Sequence, residues 1–225
     1  MSRIWIEAKL VCVKDLRIES RARVVVAQIL PFGVLVLILF ALTLDPNSAL
    51  LPKVAPGLFW ITVLLSSILA VGRSIAVESE HGARDALRLS GMDGGAIFLG
   101  KVAAIVAQLL VLEIVLIVAT FLLYSIDLRG VEVLVVSAVA ATIGIASTGT
   151  VYGVLASGVK VRETLVPLLV LPICAPVLLG ATKAFESGLA GRSGEAWPWV
   201  QLLGVFAALY LMIGFVAYGT LMEEA

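Results

Sequence analysis

The sequence predicts an all-α integral membrane protein with six transmembrane helices, an N-terminal interfacial helix and a cytoplasmic coupling helix between spans two and three. Three observations carry this. Apolar runs at 24–44, 55–77, 97–124, 131–155, 165–181 and 197–221 approach or exceed the ~20 residues that cross a hydrocarbon core. Residues 1–23 are polar and basic, yet apolar side chains recur among them at helical spacing. Residues 78–96 form a charged segment between two long apolar runs. With 61% hydrophobic and 14% charged residues, and a mean hydropathy of +1.11, 225 residues hold more apolar surface than one soluble core can bury. The bilayer is therefore the solvent, and the chain forms a single membrane domain.

Residues 3–21 are expected to form a helix along the membrane surface, with Trp5, Ala8, Cys12 and Leu16 in one stripe. Arg3, Glu7, Lys14, Arg17 and Arg21 face away from that stripe, while Asp15 and Glu19 intrude beside it. Such a segment is either a topology signal that attracts anionic lipid or a helix that also meets a cytoplasmic partner. The early residues do not have the pattern of a cleavable signal peptide. The fifth span is the shortest and contains Pro167, Pro172 and Pro176, so it is expected to be kinked.

Basic residues orient the spans. Of the sixteen Lys and Arg, twelve fall on one side: Arg3, Lys9, Lys14, Arg17, Arg21, Arg23, Arg73, Arg84, Arg88, Lys101, Lys160 and Arg162. Lys53, Arg129, Lys183 and Arg192 fall on the other. The N-terminus, the insert and the terminal Glu223 and Glu224 are thus expected in the cytoplasm, in a bacterial inner membrane. Trp60, Trp197 and Trp199 are expected in an aromatic belt at the opposite interface.

The insert ESEHGARDALRLSGMDGGAIFLGK, residues 78–101, is the most informative stretch. Its first half reads as a short amphipathic helix from Glu80 to about Ser90, with Glu80 and Arg84 at i,i+4 and Asp85 and Arg88 at i,i+3. Gly91, Gly94 and Gly95 then punctuate a turn, and a helix restarts near Ala96. A rigid lever of this kind suits a soluble partner that delivers mechanical work. Glu78, Glu80, Gly82, Arg84, Asp85, Leu87, Arg88, Ser90 and Lys101 are its candidate coupling residues.

Two polar groups lie within span three. Glu113, with Gln108 five residues earlier on a different face, either serves function or fixes packing by an interhelical hydrogen bond. Span four carries Gly144, Ser147, Thr148, Gly149, Thr150, Gly153, Ser157 and Gly158, small residues that let helices approach closely. Cys12 and Cys174 have no metal-ligand or disulfide spacing, and His81 is the only histidine. The sequence has no Walker A motif, no Rossmann fingerprint and no Ser/His/Asp set. A non-catalytic subunit is expected, with ATP bound and hydrolysed on a separate protein, no metal, no cofactor held by this chain, and no nucleic acid partner.

KDLRIESRAR at 14–23, FALTLDP at 40–46, PGLFW at 56–60, GRSIAVESEHGARDALRLS at 72–90, AIFLGK at 96–101 and the terminal LMEE resemble the haem exporter protein B (CcmB) family. The likeness runs over almost the whole chain. The segment Gly91-Met92-Asp93-Gly94-Gly95 departs from the family's pattern, which has a proline after the serine and a basic residue before IFLGK. The resemblance implies an ABC-2-type permease subunit of cytochrome c maturation. It also implies work with a CcmA-like ATPase, CcmC-like and CcmD-like membrane partners and a CcmE-like periplasmic haem chaperone, with haem as the cargo of the complex. The small-residue face of span four is compatible with a homodimer. Rival readings are an ABC-2 permease for a lipid, polysaccharide or drug, and a non-transporting scaffold.

Overall fold

Hydrocarbon offers no water to unpaired amides, so apolar runs fold as helices that satisfy their own backbones. A computed structural model describes residues 2–44, 50–80, 89–124, 126, 129–156 and 162–224. They form α1 (Ser2–Ala22), a π-helical turn (Val25–Ile29), α2 (Leu30–Thr43), α3 (Leu51–Glu80) and α4 (Gly94–Tyr124). Next come α5 (Val131–Ala156), α6 (Arg162–Ile173), α7 (Ala175–Leu189) and α8 (Ser193–Glu224). Among the described residues there is no strand.

Five helical stretches are long and apolar enough to cross a membrane, and a sixth follows if α6 and α7 count as one span bent by 52°. The bend falls at Cys174, between Pro172 and Pro176. Each proline removes a backbone donor and crowds the carbonyl four residues earlier, so the expected kink is here a break between two helices. The protein is thus an all-α integral membrane protein. Its outer faces agree: Leu42, Leu122, Val205, Met212 and Val216 are all exposed, a distribution suited to lipid contact.

α4 lies at the centre, packed against α1, α2, α3, α5 and α8. Leu109, Leu112 and Leu116 of α4 are fully buried with Ile145 of α5 and Leu203 of α8. The small residues of α5 serve packing within the chain. A Cβ on Gly149 would come 2.7 Å from Val71 Cγ2, one on Gly153 would collide with Ile75, and one on Gly144 would meet Phe206 at 3.0 Å. At the far end of α4, the Tyr124 hydroxyl donates to the Leu37 carbonyl oxygen at 2.8 Å and ties α4 to α2.

Two expectations are corrected. Trp60 is fully buried instead of lining an interfacial belt. It packs edge-on to Phe59 and Phe185, with centroids 5.4 and 5.1 Å away, because α7 folds back over this face of α3. Of the other two tryptophans, Trp197 is exposed and Trp199 half-buried. The stripe assigned to residues 3–21 is also rotated. α1 buries Glu7, Ala8 and Val11 while Trp5 is 67% exposed, because the face it presents is selected by α4.

Gly100 sets how closely α1 approaches α4. A Cβ there would stand 2.5 Å from the Ala8 carbonyl oxygen and 2.7 Å from Val11 Cβ. Replacing Gly100 with valine is expected to lift α1 and cost about 1–3 kcal/mol, the range for overpacking. Thermal unfolding in detergent measures the loss. Alkylation of Cys12, whose thiol pKa is raised first by burial and then by Asp15, should accelerate in the same variant.

Candidate functional site

The turn before α4 is built from the N-terminal end of that helix outward. The first amides of a helix have no partner inside it, and Asp is a strong capping residue. Asp93 Oδ1 accepts the Ala96 N–H at 3.2 Å, and the Asp93 carbonyl accepts the Ile97 N–H at 3.0 Å. The helix therefore starts at Gly94, two residues before the sequence suggested. Gly91 has φ +66°, a left-handed conformation that glycine adopts without penalty. Gly94 and Gly95 have a different duty. A Cβ on either would strike α8, at Gly219 Cα (2.5 Å) and the Phe215 ring (2.7 Å) respectively.

α1 grips this turn from the side. Glu7 Oε2 accepts the Asp93 N–H at 3.0 Å, and Glu7 Oε1 accepts from Arg3 Nε at 2.7 Å. Arg3 Nη2 in turn donates to the Gly91 carbonyl at 3.3 Å. The Asp93 amide and, after it, the Arg3 guanidinium hold the Glu7 carboxyl below its ordinary pKa. One turn of α1 thus contacts the turn at both of its ends.

Two further acids fasten α1. Lys101 of α4 is almost completely buried, with Nζ 3.7 Å from Asp15 Oδ2, while Lys14 Nζ lies 2.9 Å from Asp15 Oδ1. Glu19 Oε1 accepts the Val25 N–H at 2.5 Å, capping the π-helical turn across the corner at Arg23, which has φ +55°. Asp15 and Glu19, which spoil the amphipathic pattern of the sequence, are the residues that anchor the helix.

Of the coupling residues expected from the sequence, Gly82, Arg84, Asp85, Leu87 and Arg88 lie outside the described residues. Glu78 and Glu80 fall in the last turn of α3, which runs past the expected boundary at 77. Ser90 is exposed, and its Oγ accepts the Met92 N–H at 3.4 Å. Lys101 is buried and joins α4 to α1.

Gln108 borders a cavity of about 70 Å³ with Lys14, Asp15, Glu19, Arg73 and Ser74, below α1. Glu113 points into the bundle and is buried, its Oε1 accepting a hydrogen bond from the Thr142 hydroxyl of α5. Its Oε2 has no hydrogen-bond partner among the described residues. Gln108 and Glu113 are therefore separate features. Sequence reasoning passed over Glu7, Asp93 and Thr142 as partners. The capping signal at Asp93 was readable, but a contact between residues 86 apart, such as Glu7 with Asp93, has no local signature.

Fold and site together define a multi-pass helical membrane subunit whose surface turn is braced by its own N-terminal helix. Residues 7–223 match the model of the CcmB protein family, and the chain belongs to that family. It is 28% identical over 206 residues to heme exporter protein B of Haemophilus influenzae, covering 90% of this chain and 89% of the relative. The heme exporter protein B of Pseudomonas aeruginosa is 30% identical over 185 residues, 81% of this chain and 82% of the relative. That of Escherichia coli K12 is 36% identical over 90 residues, covering 40% of this chain and 41% of the relative.

Replacing Lys101 with methionine leaves Asp15 against Lys14 alone. The expected cost is about 3 kcal/mol, the low end for breaking a buried pair. Adding Asp15→Asn should recover most of it, and chemical or thermal unfolding reads both. The depressed Glu7 pKa gives a second expectation. A lowered carboxyl contributes stability above its unfolded pKa and loses it as pH falls through the folded one. Between about pH 6 and pH 3, wild type should therefore lose more melting temperature than Glu7→Gln.

Proposed function

We propose that this chain is the permease subunit of an ABC transporter complex serving haem export and haem-chaperone release in cytochrome c maturation. In this role it transmits the motion of a separate ATPase and hydrolyses nothing itself. The relatives are named for haem export, and family membership favours that cargo over a lipid, polysaccharide or drug. The partners in this reading are a CcmA-like ATPase, CcmC-like and CcmD-like membrane proteins, a CcmE-like haem chaperone, a second copy of the chain and membrane lipid. The distribution of Lys and Arg favours a bacterial inner membrane with both termini in the cytoplasm.

The observation that carries the mechanism is the braced turn. Force applied by the ATPase at residues 78–90 would reach Gly91 and Asp93 next. Arg3 and Glu7 fasten these two residues to α1, and Asp93 caps α4. Since α1 is also seated on Gly100 and paired to Lys101, a displacement of the turn moves α1 and α4 as one body. Packed interfaces of this kind switch between discrete arrangements, so a small push becomes a helix shift. Gly94 and Gly95 extend the contact to α8. Haem is the cargo of the complex in this reading, and the chain supplies moving helices around its path.

Two variants separate docking from transmission. Arg84→Glu with Arg88→Glu reverses two charges of the proposed docking segment and should weaken ATPase binding by about a hundredfold, read by co-purification. Arg3→Gln with Glu7→Gln should keep the ATPase in full yield but lose haem-chaperone turnover. Full ATPase yield from the first double variant would overturn the docking assignment. Normal turnover from the second would overturn the transmission path.

A further inference from the structure

Arg73 of α3 carries a charge that its neighbours leave uncompensated. Its Nε is buried and has no hydrogen-bond partner among the described residues. Two acids share the cavity below α1 with it, and both are engaged elsewhere. Asp15 stands between Lys14 and Lys101, and Glu19 accepts the Val25 N–H. A guanidinium drawn out of water needs an anion to offset its desolvation.

Arg73 also borders a second cavity, of about 370 Å³, between α3, α5 and α6. Apart from Arg73 its lining is apolar. The floor lies where α3 and α5 press together, since a Cβ on Gly153 would collide with Ile75. Val166 and Pro167 form the wall on α6, the first half of the span broken by 52°. Ile68, Leu69 and Gly72 line the α3 side. Leu69 and Gly72 are exposed, so the cavity opens sideways on the lipid-facing surface, and a Cβ on Gly72 would meet nothing within 4 Å. From Leu51, Arg73 lies about 33 Å along α3, at the edge of a hydrocarbon core roughly 30 Å thick. Lipid phosphates sit at that depth, and Ile68 and Leu69 lie inward of it, where acyl chains run.

We propose that this cavity holds an acidic phospholipid of the surrounding leaflet. Its phosphate pairs with Arg73, and one acyl chain lies along Ile68, Leu69 and Gly72 against Val166 and Pro167. Arg presents paired N–H groups that fit phosphate oxygens, and a cation at the membrane surface attracts anionic heads. A zwitterionic head brings its own cation and leaves the charge of Arg73 less well matched. The lipid completes the wall that α6 leaves open beside α3. This site rests on the membrane fold alone, not on ATPase coupling or on haem.

The test uses the full chain, delipidated in neutral detergent and examined by native mass spectrometry with phosphatidylglycerol or phosphatidylcholine added. Wild type should bind phosphatidylglycerol in preference. Arg73→Gln should lose that preference by about fivefold, the contribution of one cation near an anionic head. Arg17→Gln, which removes an exposed cation of α1 outside the cavity, should change it less than about twofold. Gly72→Leu places a side chain in the open cavity and should weaken binding of both lipids by about tenfold, the effect of excluding roughly two methylenes. Gly204→Leu, at an equally open position of α8, should weaken neither. Equal binding of the two lipids to wild type, an unchanged Arg73→Gln or Gly72→Leu, or equal losses in the two control variants would each overturn the site. A dimer that forms only as lipid leaves would assign the cavity to a second copy and overturn it as well. If Arg73→Gln fails to fold, Gly72→Leu alone is read, its tenfold loss supporting the proposal and no loss overturning it.

Discussion

Much of this structure rests on the close contact between α1 and α4 at Gly100. A helix rich in Arg, Lys, Asp and Glu has every reason to remain in the aqueous interface, where its charges are solvated. It seats against a membrane helix only because α4 offers a position without a side chain and a buried cation for Asp15. Backbone proximity and charge pairing reinforce each other: the first excludes water from the pair, and the second offsets the desolvation this imposes. With α1 fixed, Glu7 and Arg3 stand where they can hold the Gly91 and Asp93 end of the insert. The cavity edged by Arg73 and Gln108 is enclosed by the same helix.

Much of the fold was legible because hydrocarbon permits so few solutions. Six apolar runs yielded five long helices and one bent pair, with their limits displaced by a few residues. α3 and α4 both extend beyond the apolar cores because polar turns can be helical once they leave the lipid. The three prolines of span five were readable as a distortion, but not as a 52° break, since proline chemistry does not specify the angle. Interfacial preference misplaced Trp60. That preference is an average over many tryptophans, and it yields when neighbouring helices can stack Phe59 and Phe185 around one ring.

One half of the proposed site was a candidate from sequence alone, and most of it lies outside the described residues. Residues 78–90 stand out in the sequence through charge and glycine punctuation, which are local signals. The bracing half did not stand out, since Glu7, Asp15 and Glu19 look like ordinary charges on a surface helix. Their roles depend on which helix lies beside them, and that is set by the fit at Gly100. Lys101 shows the same limit. Its place at the end of the insert suggested a residue that passes movement into span three, but its pairing with Asp15 on α1 has no local signature. Glu113 was recognised as inward-facing from its depth alone, but its donor, Thr142, lies on a different helix.

The left-handed corner at Arg23 has a consequence for the order in which the molecule is made. It turns α1 back toward a helix whose residues begin at Gly94, so α1 docks on an element completed about a hundred residues after it. At roughly 5–20 residues per second, α1 waits on the order of ten seconds for its partner helix, with Glu7 and Asp15 still in water. The basic residues of α1 then have a temporary task, holding the helix at the lipid surface until α4 is threaded. The clamp on Asp93 can then close while α5 to α8 are still to be made.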